Sequence, residues 1–382
     1  MTGNVLVPGM LPAHGPVVLN DSDVLRTTGD HGRNVQDAVR PGRYNWAHEV
    51  GPVGRAGDLA GAGRSEMNIG MGLPAAIPDA EAAAVGEWAA SAERLGFSSV
   101  GVIDRLVYDS LDPLIALAAA AERTGRVELM TTVLNVPLRR NAVVLAKQLA
   151  SLDRLSGGRL TLGLGLGGWP RDREASELPP GGMGALMDGM LSTMRQVWDG
   201  EVRGASGPMP ALPPGRPGLL FGGFAPASFN RMAAAGDGWV APSFGFEPLV
   251  DGIAAARAAW SGAGRSGRPR IVVARYFSLG ERADEAADHY LAHYYGARYF
   301  DAVRADTLTT PRRLEAELRR LADAGCDDVV LLPCSDEPDQ PVLLAGALDG
   351  LGARRGVSST RRGHTGLDAN STSLELSGAA GA

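Results

Sequence analysis

The chain has 382 residues, a formal net charge of −6 and no basic stripe, which argues against tight binding to nucleic-acid phosphates. No apolar run reaches the roughly 20 residues of a membrane span, and the N-terminus lacks the basic-then-apolar pattern of a secretory signal. Two cysteines, Cys326 and Cys334, form neither a disulfide framework nor a metal-ligand spacing, so the expectation is a soluble cytoplasmic protein with two ordinary buried thiols.

Residues 1–66 carry Gly, Pro, Asp and Arg without a sustained period of 3.6 or 2. Such a stretch is expected to be a disordered extension, either upstream of a natural start at Met67 or a flexible arm. Residues 352–382 are dominated by Ser, Thr, Gly and Arg and are expected to be a disordered tail. The domain between them, 67–351, begins with a short strand, Met67 to Leu73, ended by Pro74.

A helix follows, with Asp79 as its expected N-cap, Val85, Trp88, Ala89, Ala92 and Leu95 on one face, and Gly96 as its stop. Ser99 to Asp104 reads as a second strand, Leu111 to Arg123 as an Ala-rich helix, and Val127 to Asn135 as a third strand. Leu145, Leu149, Leu152 and Leu155 mark the next helix, halted at Gly157-Gly158, before a fourth strand from Arg159 to Leu166. A polar, Pro-rich loop leads to a helix over Ala185 to Trp198. Four more strands are predicted at Leu219–Gly222, Gly238–Ala241, Arg270–Ser278 and Asp328–Leu332, with helices between them. The clearest of these helices opens at Thr310-Pro311, a cap followed by Pro at the first helical position. Eight strand–helix repeats in this length predict an α/β fold, a (β/α)8 TIM barrel, ahead of a doubly wound open sheet.

A barrel of this kind builds its site at the C-terminal ends of its strands. The fourth strand alternates Leu160, Leu162, Leu164 and Leu166 with Thr161, Gly163, Gly165 and Gly167. The leucines are expected to pack outward on the helices and the glycines to face inward, leaving room for a ligand. The run also fits GxGxxG, but three strands precede it and Trp169-Pro170 follows, which argues against a dinucleotide fingerprint.

Gly222 to Ser228 ends the fifth strand and opens a helix near Pro226, a candidate anion site. Asp104 and Arg105 end the second strand, as a candidate acid or base with a cation able to pair with it, or as a plain strand-end ion pair. Trp169 and Phe244 are candidate parts of an apolar lid over a substrate. His289 and His293, four apart on a helix, read as solvated positions and not as metal ligands.

Together these stretches resemble the bacterial luciferase-like monooxygenase superfamily, among its flavin- or deazaflavin-dependent members. The resemblance is most specific in Pro137-Leu138-Arg139-Arg140-Asn141, then Leu145 to Asp153, then Leu155-Ser156-Gly157-Gly158-Arg159-Leu160 and Gly163-Leu164-Gly165. It implies a non-prolyl cis peptide at Thr132-Val133 beneath the flavin ring, and places Ser228 at the phosphate with backbone help from Ala225; Gly163, Gly165 and Gly222, already read as bare strand-end positions, complete the expected cofactor contacts. Many members carry a His where this chain has Asp104-Arg105, which leaves the acid–base residue open. The implied activity is oxygenation of a small organic substrate with O2 and reduced FMN from a separate flavin reductase. Hydride transfer with a deazaflavin coenzyme and non-catalytic flavin binding are the alternatives, and a homodimer is expected.

Overall fold

The computed structural model describes residues 67–204, 207–209 and 217–350; the expected extensions, 1–66 and 352–382, lie outside them. Eight parallel strands close a barrel. In chain order they are β1 (Asn68–Gly72), β2 (Ser99–Val102), β3 (Glu128–Asn135), β4 (Leu160–Gly165), β7 (Gly218–Gly222), β8 (Gly238–Ala241), β9 (Arg270–Phe277) and β10 (Asp328–Pro333). A two-stranded hairpin, β5 (Arg203–Gly204) with β6 (Gly207–Pro208), interrupts the count. Each barrel strand pairs with its neighbours in chain order, and β1 closes the ring against both β2 and β10.

The helices between strands are α1 (Ala84–Arg94), α2 (Pro113–Arg123), α3 (Ala142–Leu155), α4 (Pro170–Ala175), α5 (Met183–Trp198), α6 (Pro226–Ala235), α7 (Phe246–Gly262), α8 (Ala283–Tyr295), α9 (Phe300–Ala305), α10 (Pro311–Ala324) and α11 (Gln340–Gly350). Local chemistry sets their ends. The Asp112 carboxylate accepts from Leu114 N–H at 2.8 Å ahead of Pro113, and the Thr310 hydroxyl accepts from Arg313 N–H at 3.2 Å ahead of Pro311. Asp79 does not cap α1 as expected. It sits in a turn at φ +61°, a conformation its short polar side chain tolerates, and the helix starts at Ala84 with no side-chain cap.

Two layers of side chains follow from the alternation of each strand. Leu160, Leu162 and Leu164 lie in the outer layer, between barrel and helices, with Leu145, Leu149 and Met194. The inner layer holds Met130, Leu220, Val240, Val272, Val330 and Leu332. Leu166, expected outward with the other leucines, lies beyond the end of β4 and is exposed. The barrel's N-terminal end is closed by polar groups from the first residues of the strands. Arg270 donates to both Glu128 oxygens (2.8 and 2.7 Å) and both Asp328 oxygens (2.7 and 2.8 Å), and Asn68 Nδ2 also reaches Asp328 at 3.1 Å. The opposite, C-terminal end carries the aromatic side chains.

Candidate active site at the barrel mouth

The floor of the mouth is built where β3 changes register. Pairing with β4 shifts between Thr131 and Leu134, and the Thr132–Val133 peptide inside that shift is cis. The Thr132 hydroxyl donates to the Val102 carbonyl of β2 at 3.2 Å, and the Val133 side chain projects between two bare positions. A methyl group added at Gly165 would lie 2.6 Å from Val133 Cγ2, and one at Gly222 would lie 3.2 Å from Val133 Cγ1. These glycines therefore make room for Val133. Gly163 is bare for another reason. A methyl group there would lie 2.2 Å from the Thr131 carbonyl oxygen, so close strand approach, and not ligand space, excludes a side chain.

Beside this floor, β7 ends at Gly222 and the chain turns at Gly223 (φ +103°) into α6. Ala225, Pro226 and Ala227 are exposed there, and the N-terminal N–H of Ala227 has no carbonyl within the helix to meet. Ser228 is buried, and its hydroxyl donates to the Gly222 carbonyl at 2.5 Å, bracing the turn. Trp239 Nε1 donates to the Gly223 carbonyl at 3.0 Å from the other side.

Asp104 and Arg105 do not pair with each other. The buried Asp104 carboxylate accepts from Arg139 Nη2 at 2.7 Å and from Asn135 N–H at 2.8 Å, while Asn135 Nδ2 donates to the Asp104 carbonyl at 2.9 Å. Burial pushes this carboxyl above the usual carboxylate range, and Arg139 and the Asn135 N–H pull it back only in part. Arg139 also pairs with Asp112, so one guanidinium ties the end of β2 to the start of α2. Arg105 turns the other way. Its Nε lies 3.1 Å from Asp172 Oδ2, and its guanidinium carbon lies 3.9 Å from the Trp169 ring centroid, with Tyr108 and Tyr294 at 5.1 and 5.2 Å.

Sequence reasoning missed the largest feature of the mouth. Six of the chain's seven tyrosines, Tyr108, Tyr276, Tyr290, Tyr294, Tyr295 and Tyr299, join Trp169 and Phe244 in one connected aromatic cluster. α8 contributes three of these tyrosines, and they pack onto the inner layer of the barrel. The adjacent pair Tyr294-Tyr295, in a chain only 5% aromatic, was the available signal. Trp169 and Phe244, the predicted lid residues, do meet here through Tyr295, at 6.0 Å between ring centroids in each case.

Hydroxyls run through the cluster. Tyr276 and Tyr295 oxygens are 3.0 Å apart, Ser243 is 3.2 Å from Tyr295, and Tyr108 is 2.8 Å from His293 Nδ1. Burial pushes the Tyr276, Tyr290 and Tyr294 hydroxyls well above their usual value, Tyr295 upward, and Tyr108 up to about 12. All are neutral hydroxyls at physiological pH. Leu106, Val107, Leu166 and Phe224 stand exposed on the loops leaving β2, β4 and β7. His289 and His293 are exposed on α8, and among the described residues no group of His, Cys, Asp and Glu is placed to hold a metal ion.

Comparison with known proteins agrees with this architecture. Residues 62–330 match the family model described as luciferase-like monooxygenase. An uncharacterised Mycobacterium tuberculosis protein is 33% identical over 175 residues, which are 43% of this chain and 61% of the relative. The match thus spans about three-fifths of the length of that curated relative. Among solved structures, an F420-dependent secondary alcohol dehydrogenase in complex with an F420-acetone adduct superposes with a TM-score of 0.64 at 17% identity, covering 75% of this chain and 99% of the other. The oxygenating constituent of 3,6-diketocamphane monooxygenase from Pseudomonas putida, in complex with FMN, gives 0.60 at 15% identity over 76% and 98%. At these identities the likeness shows the fold.

Proposed function

The chain belongs to the luciferase-like monooxygenase family, and on that premise we propose that it is a flavin-dependent oxidoreductase that uses reduced FMN and O2 to oxygenate a small organic substrate. The observation that carries this reading is the floor. Val133, set between Gly165 and Gly222, offers a flat apolar support with no side chain rising on either side, which suits a planar tricyclic ring. The exposed N-terminus of α6 lies one turn away and suits a terminal phosphate, through the Ala227 N–H and the positive end of the helix dipole. In this reading Gly222, Gly223 and Ala225 let the backbone approach the phosphate, and Ser228 braces their turn. Gly163 supports the strand packing beneath.

Bound reduced FMN would supply the electrons that activate oxygen; a separate reductase would regenerate it. The protein's part is to hold, orient and dry the site. Trp169, Phe244 and the tyrosines of α8 cover the mouth and exclude water. Asp104 is committed to Arg139 and Asn135, and Arg105 to Asp172, so both serve to position the loop after β2.

A second reading keeps the site and replaces FMN with the deazaflavin coenzyme F420 for hydride transfer. Sequence likeness to an F420-dependent glucose-6-phosphate dehydrogenase of Amycolatopsis mediterranei, 40% identical over 87 residues that are 21% of this chain and 26% of the relative, favours it. Equilibrium titration of the purified chain with FMN, reduced FMN and F420 separates the readings. Micromolar binding of reduced FMN with weak F420 binding supports the monooxygenase, the opposite order supports hydride transfer, and binding of neither overturns both.

A further inference from the structure

Three hydroxyls at the mouth form a short array: Tyr276 to Tyr295 at 3.0 Å and Tyr295 to Ser243 at 3.2 Å. Three O–H protons serve two contacts, so one proton is left over. Tyr276 is 1% exposed and stands in the inner layer of the barrel, where an unsatisfied O–H is costly, so Tyr276 donates to Tyr295. The spare donor then belongs to Tyr295 or Ser243, both only half-buried. Their surroundings are Trp169, Phe244 and Tyr299.

Around this array the charges packed against the inner rings are paired, and Arg298, on the exposed side, has no ion pair among the described residues. Arg105, the cation nearest the inner rings, is ion-paired with Asp172 and covered by Trp169. Asp306, beside Gly245, is paired with Arg320 at 3.3 Å, and Asp104 with Arg139. Arg298 lies over Tyr299 on the exposed side of the cluster. A charged group passing Arg298 at the exposed rim and moving in among the inner rings would lose its water against groups whose charges are already paired, whereas a neutral oxygen would meet a ready donor.

We propose that the substrate is an uncharged, largely apolar molecule whose carbonyl or ether oxygen accepts a hydrogen bond from the Tyr295–Ser243 hydroxyl pair. This rests on the reading of the mouth as the reaction site. It extends that reading to substrate class: anionic molecules are disfavoured and neutral ketones or ethers are favoured.

The test uses three probes of matched size, 2-acetylnaphthalene, 2-ethylnaphthalene and 2-naphthoate, by equilibrium dialysis against the full chain, with FMN binding followed in parallel by flavin fluorescence. The ketone is expected to bind about three- to tenfold tighter than the hydrocarbon, the usual worth of one neutral hydrogen bond, and at least about tenfold tighter than the carboxylate. The double variant Tyr295→Phe with Ser243→Ala is expected to bring the ketone down to the hydrocarbon's affinity and leave the hydrocarbon unchanged. If that variant unfolds because Tyr276 loses its acceptor, adding Tyr276→Phe leaves no hydroxyl orphaned and carries the same expectation. Naphthoate binding as tight as the ketone, or equal weakening of ketone and hydrocarbon, overturns the proposal. Wild-type chain that prefers the ketone but binds neither FMN nor F420 overturns the cofactor reading and supports this one.

Discussion

Asp172 and Arg105 form a direct ion pair at the barrel mouth, nearly sealed from solvent: Oδ2 to Nε is 3.1 Å, and their side chains are 0% and 8% exposed. Asp172 also accepts from Leu106 N–H at 3.2 Å and Val107 N–H at 2.9 Å, so the carboxylate holds the whole loop after β2 onto α4. Removing it strands a buried guanidinium over Trp169 and frees two backbone donors. Asp172→Ala is expected to cost about 3–5 kcal/mol of stability, as for a buried pair that loses one member. Urea denaturation measures this, and a loss under about 1 kcal/mol would show that the pair is not what holds the loop.

Gly165 and Val133 form a second dependent pair. Gly165→Ala places a methyl group against Val133 Cγ2 and is expected to cost about 1–3 kcal/mol through overpacking, with loss of flavin binding as Val133 is pushed into the mouth. Val133→Ala in the same chain removes the obstructing atoms and is expected to restore most of the stability. If the double variant is no more stable than Gly165→Ala alone, Val133 is not the reason for the glycine.

A pH-dependent contribution lies on the far side of the molecule from the mouth. Burial acts against the Glu93 carboxylate, yet N–H groups of Val127, Arg126 and Gly125 together hold its carboxyl below the usual 4.5. A depressed carboxyl stabilises the fold above its unfolded value, and the contribution is lost as pH falls through the lower folded value. Glu93→Gln is therefore expected to cost about 1 kcal/mol at pH 7, toward the low end for hydrogen bonds to a charged group because the site is partly exposed. The gap to wild type should narrow as pH falls below the usual 4.5, as melting temperatures across pH would show. A gap that stays constant down to pH 3 would contradict this assignment.

At the fifth strand's end, Ser228 spends its proton on the Gly222 carbonyl, so its hydroxyl supports a turn more than it offers a donor to an anion. Ser228→Ala is expected to weaken FMN and riboflavin by a similar factor, about three- to tenfold, through the loosened turn. Selective loss of FMN by tenfold or more would show instead that the hydroxyl rotates onto the phosphate.

The barrel was legible because its signals are local and repeated. Alternating leucines at 160, 162 and 164, the glycines at 157 and 158 and the Thr310-Pro311 start each encode a strand, a boundary or a stop within a few residues. The site was legible only in part, since its defining contacts join residues far apart in the chain. Asp104 and Arg105, adjacent in sequence just past the end of β2, turn to different neighbours, so the partners are Arg139 and Asp172 and not each other. The tyrosine cluster combines side chains from β9, α8 and the loops after β2 and α8, which no spacing rule links. Gly163 and Gly165 look alike in sequence, yet one is bare because of a backbone oxygen and the other because of a valine side chain.

The central claim, that the mouth above Val133 holds a flavin with its phosphate at α6, is tested most directly by the crystal structure of the chain grown with FMN. The ring is expected to lie on Val133 between Gly165 and Gly222, with a phosphate oxygen in hydrogen-bond reach of the Ala227 N–H. FMN bound elsewhere, or bound here with its phosphate pointing away from α6, would contradict it.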